Sequence, residues 1–328
     1  AEALTAGHSA RLTGMAWAPD GERIAFTDYL GRLSVVAVGD GAETLVADDP
    51  WFGIGGVAWS PDGAHLAFAL RNEAQLSRVH VWSVADGELR QVTSDLAAAW
   101  SPTWGPDGDY LFYLSDRAYA PQISDLEWNY AGTERAMIYA LALRADVEPL
   151  FPPEDDEVAV TGDDEASDGD DEGEKEVSDD AEADDAPIEI DFDGLAARVM
   201  RVPVEPDNYG GLTAIEGHLL YTTSGPFVYG GGSGDTVLHR FSLEDREAKE
   251  VARGIGGFAL SADRGKLLVR VGGKFELHDA AKKGDPKTIS TAGLAMDLDP
   301  EAEWRAVFDE TWRLFRDYFY VENMHGYD

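Results

Sequence analysis

Short apolar runs bounded by turn residues repeat along most of the chain. Four windows align without gaps: GMAWAPDGERIAFT from Gly14, GVAWSPDGAHLAFA from Gly56, SPTWGPDGDYLFYL from Ser101 and GFALSADRGKLLVR from Gly257. A weaker copy, GLTAIEGHLLYTT, begins at Gly211. The first three starts are 42 and 45 residues apart, and the last two are 46 apart. This period is typical of the four-stranded blades of a β-propeller.

Each repeat is predicted to form a strand, a tight turn and a second strand. The first strand ends at Trp17, Trp59 or Trp104, whose rings can fill the space between neighbouring sheets. Pro-Asp-Gly then favours a tight turn, because Pro fixes φ, Asp bonds its own backbone and Gly adopts positive φ. An ordinary β-sandwich would not explain this motif at this period. Further apolar runs predict third strands at 33–38, 79–84 and 137–143, and fourth strands at AETLVA and LRQVTS.

One blade is expected to carry a long acidic insertion. The starts at Ser101 and Gly211 are 110 residues apart, so this blade holds about 65 residues beyond the usual period. Its third strand is predicted to end near Leu143, and its fourth to resume in RVMRVPV at 198–204. Between Glu154 and Asp193 there are 21 acidic residues and one Lys. Because such a segment buries little apolar area, we expect an insertion at about 152–190 to be disordered.

The end of the chain has a helical pattern instead. AMDLDP at 295–300 is interpreted as a last strand followed by a helix start, with Asp299 as the N-cap and Pro300 at the first helical position. Apolar residues then recur at spacings of three and four, which predicts one amphipathic helix packing on further helices; packing back on the propeller is the alternative. The residues of this stripe are Trp304, Val307, Phe308, Trp312, Phe315 and Phe319.

Composition narrows the classes of partner. The net charge is −37, which disfavours binding to nucleic acid or to anionic membrane surfaces. No apolar run approaches the roughly 18 residues of a membrane span. The chain has no Cys, so disulfides, thiolate catalysis and Cys-ligated zinc are excluded. The acidic, Lys-poor composition fits either a salt-rich cytoplasm, as in halophiles, or an acidic high-GC bacterial protein. We expect a cytoplasmic location; a secreted or periplasmic one stays open, because the first residue is not Met.

Two motifs come near to known sites without matching them. DGDDEGEKEVSD from Asp168 resembles a calcium loop, but Asp179 stands where the bidentate Glu belongs and no apolar helices flank it. YGGGSGD at 229–235 places Ser233 in a near match to a nucleophile elbow, which would require Gly where Asp235 stands. A flexible hairpin loop is the interpretation we favour for the second motif.

The histidines are scattered and show no spacing of paired metal ligands. His65 is expected in a strand after a turn, His218 and His239 in the fourth blade, and His278 at the end of a strand. We therefore assign no catalytic, cofactor-binding or metal-ligating residue in this chain, and expect no cofactor.

Several stretches resemble one enzyme family. EWRAVFDETWRLFRDYFYVENMHGYD at 303–328 closely resembles the junction between the second β-propeller and the helical domain of tricorn proteases. ALALRADVEPLFPPE at 140–154 and IEIDFDGLAARVMRVPVEPDNYGGL at 188–212 resemble the same propeller. His325, in NMHG, matches a family motif, where it is expected to shape the entrance to the helical domain. The tail argues against the propeller of a prolyl oligopeptidase, which should lead into an α/β-hydrolase segment.

The resemblance implies an organisation and a function. Residues 1–298 would be about five to six of seven propeller blades, and 299–328 the truncated first helix of a helical domain. The catalytic Ser, and a Ser-His pair, would lie beyond this chain, so the full-length protein is expected to be a serine peptidase and this fragment inactive. The resemblance further implies a ring-shaped homo-hexamer.

The expected role is to filter unfolded peptides and guide them to that catalytic domain. The alternative is a non-catalytic module that binds proteins or peptides. The first strand of each blade is expected to line the channel, at 12–16, 54–58, 98–103, 210–214 and 255–259.

Overall fold

The computed structural model shows five four-stranded antiparallel blades in a propeller arrangement, followed by one α-helix. Within each blade the spatial order of the strands is their order along the chain. The predicted fold class is therefore confirmed. The structure describes residues 4–5, 10–51, 53–118, 134–152, 187–225, 234–321 and 323–326.

The strands of blades 1 to 3 are β1 (Leu12–Trp17), β2 (Arg23–Asp28), β3 (Arg32–Ala37), β4 (Glu43–Asp48), β5 (Gly55–Trp59), β6 (His65–Arg71), β7 (Ser77–Ser83), β8 (Leu89–Gln91), β9 (Ala99–Trp104), β10 (Tyr110–Ser115), β11 (Met137–Ala142) and β12 (Val199–Arg201). Those of blades 4 and 5 are β13 (Tyr209–Ile215), β14 (His218–Thr223), β15 (Val237–Ser242), β16 (Glu247–Arg253), β17 (Ile255–Leu260), β18 (Lys266–Val271), β19 (Lys274–Asp279) and β20 (Lys287–Ile289). Within the described residues, short 3-10 turns span Leu195–Ala197 and Met324–Gly326.

The first strand of each blade lies nearest the propeller axis. β1 packs against β5, β5 against β9, and β9 against β13, so the first strands of neighbouring blades meet. All five coincide within two residues with the strands expected to line the channel. We call β1, β5, β9, β13 and β17 the inner strands.

The hydrophobic core lies between blades. Each of the four large clusters joins side chains of two neighbouring blades; Leu33 of blade 1, for example, clusters with Phe68 of blade 2. The second and third strands of blade 3, YLFYLS and MIYALA, are buried on both faces because this blade lies between two others. β18 of blade 5 alternates between exposed and buried residues, since its core cluster joins it to blade 4 alone among the described residues.

The Asp-Gly turns form as their sequences predict. The side chain of Asp62 accepts hydrogen bonds from the hydroxyl of Ser60 at 2.5 Å and from the backbone N–H of Ala64 at 3.0 Å. Gly63 follows with φ of 69°. The same turn in blade 5 has Arg264 at the glycine position, with φ of 55°. The side chain of Arg264 also donates a hydrogen bond to Ala214 of blade 4.

Blade 3 contains the long excursion between its third and fourth strands, since β11 pairs directly with β12. Most of the segment expected to be disordered lies outside the described residues. Its end, 187–193, packs across blades 2 and 3: the N–H of Ile188 donates to the carboxylate of Asp62 at 2.7 Å, and the guanidinium of Arg90 lies 4.4 Å from the ring centre of Phe192.

The helix α1 spans Pro300–Tyr318, and Asp299 caps it by accepting from the N–H groups of Glu301 and Ala302. This start is as predicted. The last strand expected in AMDLDP, just before this cap, is wrong: β20 is the last strand of the described residues, and Leu294 and Met296 are more than 80% exposed. A strand needs a neighbouring backbone to pair with, and the described residues provide none there.

Helix α1 contacts blade 1. The rings of Tyr29 and Tyr318 have centroids 4.0 Å apart, and Arg11 lies 3.4 Å from Glu310. Much of the predicted aromatic stripe nevertheless faces solvent, with Trp304 73% and Phe308 69% exposed.

Candidate functional site on the inner strands

The inner strands contain no charged residue. Their sequences are LTGMAW, GGVAW, AWSPTW, YGGLTAI and IGGFAL, in a chain whose charged residues make up 27% of the total. Every outermost strand of the same blades carries at least one charge: ETLVAD, LRQ, VMR, EAKEVAR and KTI. The innermost and outermost strands therefore differ consistently in charge, although β10 and β11 in the middle of blade 3 are uncharged as well.

Glycine pairs recur at one level of this wall. Gly55–Gly56, Gly210–Gly211 and Gly256–Gly257 occupy the same position in blades 2, 4 and 5, where blade 1 has Thr13–Gly14 and blade 3 has Trp100–Ser101. The pairing of inner and second strands is irregular at this level in all five blades. Such bulges interrupt the regular ladder and leave backbone groups outside it.

The close approach of the blades requires glycine here. A Cβ on Gly56 would lie 2.9 Å from the Cα of Ser101 in the next blade. Gly56 and Gly211 have φ of 64° and 56°, and Ser101 takes a similar value of 51°, which is uncommon for a residue with a side chain. The wall at this level is therefore mainly backbone. The edge of each inner strand that points away from its second strand is unpaired within its own sheet.

The one titratable side chain on the inner strands is Tyr209, a phenol that is neutral at pH 7 even at its ordinary pKa of about 10. Burial raises the pKa of this phenol well above its usual value, and the nearby Tyr221 and Asp207 raise it further. Its hydroxyl donates to the carbonyl oxygen of Glu205 at 2.5 Å. The wall thus stays uncharged at neutral pH.

The described histidines of the sequence analysis are spread over blades 2, 4 and 5, and each has its own polar neighbours. The ring of His239 is 2.9 Å from the hydroxyl of Thr223, and that of His278 is 3.2 Å from the carboxylate of Glu276. His218 contacts the carbonyl of Glu216 through Nδ1. Within the described part of the chain, no three His, Cys, Asp or Glu side chains are arranged to hold a metal ion.

Burial lowers the pKa of His65 and of His239, while neighbouring carboxylates oppose the shift. His325 lies beyond α1, with its ring 2.5 Å from the hydroxyl of Tyr320. Ser233 and the segment that resembles a calcium loop fall outside the described residues. No helix within the described ranges has the length and apolar character to cross a membrane.

Sequence reasoning found the inner strands but missed what is special about them. The pairs at 55–56, 210–211 and 256–257 are visible as GG in three aligned repeats, and that signal could have identified the wall. Ile188, Ile190 and Phe192 alternate like one face of a strand, and they pack against the core between blades 2 and 3.

Comparison with known proteins identifies the family. Residues 1–281 match the tricorn protease second beta propeller domain, which is most of the chain. The chain belongs to the tricorn protease family. Residues 300–328 match the tricorn protease C1 domain, so the match changes domain close to the start of α1.

Individual tricorn relatives agree with the family match. The chain is 26% identical over its whole length to Tricorn protease homolog 1 of Streptomyces coelicolor, covering 31% of that protein. It is 24% identical over 74% of its length to a tricorn protease homolog of Saccharolobus solfataricus, covering 21% of it. The chain therefore spans about a fifth to a third of the length of these relatives.

A solved tricorn protease shares the fold. Its crystal structure superposes with a TM-score of 0.76 over 96% of this chain and 30% of the other, at 18% identity. At this identity the likeness shows that the two chains have the same propeller architecture.

Proposed function

We propose that these blades guide extended peptides along their inner strands to a serine peptidase unit carried elsewhere in the full-length protein. The observation that carries the proposal is the wall itself, which is uncharged and rich in glycine in a chain of net charge −37. A peptide of any sequence shares its backbone with every other peptide. A wall of backbone and small neutral groups can therefore accept peptides with little regard to their charge.

The family match supports the chemical part of the proposal. The similar proteins are named as proteases, and this chain spans only a fraction of their length. Acyl transfer needs a nucleophile, a base and an oxyanion site held together, and the five blades bring no such set together among the described residues. Catalysis would then belong to another part of the protein.

Blocking the wall in the full-length protein tests this role. Gly55 has no heavy atom within 4 Å of a Cβ placed on it, and its φ is not positive, so a large side chain there would project into open space. Gly39, in the turn after β3, has the same two properties away from the inner strands and provides the matched control.

We expect Gly55→Trp to lower kcat/KM for unfolded peptides at least about tenfold, and Gly39→Trp to leave it within about twofold, a difference set by how far a bulky ring obstructs the path. Residues 1–328 alone should cleave no peptide. Equal activity of the two variants would contradict guidance. Turnover by the fragment that Ser233→Ala abolishes would place a nucleophile inside it.

We further propose that the full-length protein has the assembly and the cellular location that the family resemblance implies. The full-length protein would form a ring of six copies in the cytoplasm. Light scattering after size exclusion tests the first statement, and cell fractionation the second. A binding module without catalysis is the outcome if the full-length protein cleaves nothing yet binds peptides.

A further inference from the structure

A cavity of about 530 Å³ opens beside the inner strands between blades 1 and 2. Its walls come from β1, β2, the loop after β2 and the start of β5. This size falls within the range of sites that bind small ligands or single large side chains. The cavity's apolar wall consists mainly of Met15, Phe26, Ile54 and Val57.

Charge in the cavity is already neutralised. Of the described residues that line it, Asp28 alone is charged, and it is only 4% exposed. Its carboxylate accepts from Nε of Arg32 at 2.8 Å and from the backbone N–H of Leu30 at 2.9 Å. Burial acts to raise the pKa of Asp28, but the bonds and charge of Arg32 outweigh it and lower the pKa. Because Arg32 already pairs with this carboxylate, the described lining of the cavity offers no unpaired charge to attract a cation or an anion.

Glycines let a peptide reach the cavity from the channel. Gly14, Gly55 and Gly56 line the cavity and leave the backbones of β1 and β5 without bulky cover. An extended chain that lies beside an unpaired strand edge directs alternate side chains towards opposite faces of the sheet, so one side chain can enter the space between two blades while the backbone follows the inner strand.

Helix α1 borders the same place. Tyr29 lines the cavity and lies against Tyr318 of α1. A peptide held here would therefore lie close to α1, the helix at which the match to the C1 domain begins.

We propose that this cavity is a subsite for one large apolar side chain, Phe or Leu for example, of an extended peptide on the inner strands. The proposal rests on the guiding role argued above and adds a preference to it. The backbone wall accepts any sequence, and the cavity delays those peptides that can fill it.

Calorimetric titration of residues 1–328 with three capped heptapeptides tests the subsite. The peptides share flanks of Ser, Ala and Thr and differ only in a central Phe, Asp or Lys. We expect the Phe peptide to bind at least about tenfold more tightly than the other two, as burial of one phenyl ring predicts. Equal affinities of the three would overturn the subsite and leave guidance standing. No binding of any peptide would overturn both.

Two variants test whether the preference for the Phe peptide arises in this cavity. Gly55→Leu should fill it and make the three peptides bind equally, whereas Gly39→Leu should keep the Phe preference. Met15 is 67% exposed, so Met15→Arg should fold and should shift the preference towards the Asp peptide. Melting temperatures within about 2 °C of wild type would show that the fold is intact. A Phe preference that survives both Gly55→Leu and Met15→Arg would place the subsite elsewhere.

Discussion

The indole nitrogen of Trp104 donates a hydrogen bond to the carbonyl oxygen of Ala58, 3.0 Å away in the inner strand of the neighbouring blade. Trp59 makes the same bond one blade earlier, to Ala16 at 3.1 Å. The repeated Trp thus fills the space between blades and bonds directly to the inner strand of the preceding blade. Trp17 stands at the same position in blade 1 and is 54% exposed.

This difference predicts unequal costs for one substitution. Trp104 is 1% exposed, so Trp104→Phe should lower the free energy of unfolding by about 1–3 kcal/mol, through the lost bond and a small cavity. Trp17→Phe should change it by less than about 0.5 kcal/mol. Urea unfolding of the two variants of residues 1–328 checks the prediction, and equal costs would contradict it.

In blade 5 a different residue makes the side-chain hydrogen bond to the preceding blade. This blade has Leu260 where the Trp stands, and Arg264 donates instead to the carbonyl oxygen of Ala214 in blade 4, at 3.2 Å. Arg264 also occupies the turn position with positive φ that is glycine in blades 1 to 3. A left-handed conformation costs a residue with a side chain roughly 1–2 kcal/mol. The bond to Ala214 offsets that strain.

Arg264→Ala should therefore destabilise more than Arg264→Gly. The Ala variant keeps the strain and loses the bond, at a cost of about 1–3 kcal/mol. The Gly variant loses the bond but relieves the strain, so its net cost should be about 1 kcal/mol less. Thermal melting of both variants measures this difference in stability. A Gly variant that is less stable than the Ala variant would show that the backbone at this position is unstrained.

The contrast between Trp104 and Arg264 shows how far sequence reasoning reaches. The Trp, Pro, Asp and Gly of each repeat act locally, through turn geometry and strand pattern, so the blades could be predicted. The bond from Arg264 joins residues 50 positions apart, and no local pattern marks it. The cavity beside Gly55 could not be predicted from the sequence either, because it forms only where two blades come together. The prediction of a last strand in AMDLDP was wrong because a strand needs a neighbouring backbone with which to pair.

Protonation of His65 should weaken the fold below neutral pH. Its Nδ1 is buried without a hydrogen-bond partner among the described residues, and burial lowers its pKa. The unfolded chain takes up a proton near pH 6.5 while the folded one resists it, so the contribution is present above about pH 6.5 and is lost as pH falls through the lowered pKa.

The stability difference between wild type and His65→Gln isolates this effect from the charge of the rest of the chain. Measured by urea unfolding, the free energy of unfolding of wild type should fall relative to that of the variant as the pH is lowered from about 7.5 to 5.5. A difference that stays constant, or that moves in favour of wild type, would show that His65 titrates alike in both states.

Salt should stabilise the blades. A net charge of −17 remains when the acidic stretch 154–193 is set aside, and like charges repel more in the compact state. The melting temperature should rise between roughly 0.01 and 1 M NaCl, where the Debye length falls from ~30 to ~3 Å. Replacing NaCl by an equal osmolarity of sucrose controls for exclusion of solute from the surface. A flat curve in NaCl would contradict the repulsion.

If peptides run along the uncharged inner strands, photo-crosslinking should locate them there. A capped, extended peptide with one benzophenone side chain is irradiated with residues 1–328, and the attachment sites are mapped by mass spectrometry. We expect attachment within the inner strands, above all at Leu12–Trp17 and Gly55–Trp59 beside the cavity. Attachment mainly to the outermost strands, or to the aromatic face of α1, would contradict this expectation.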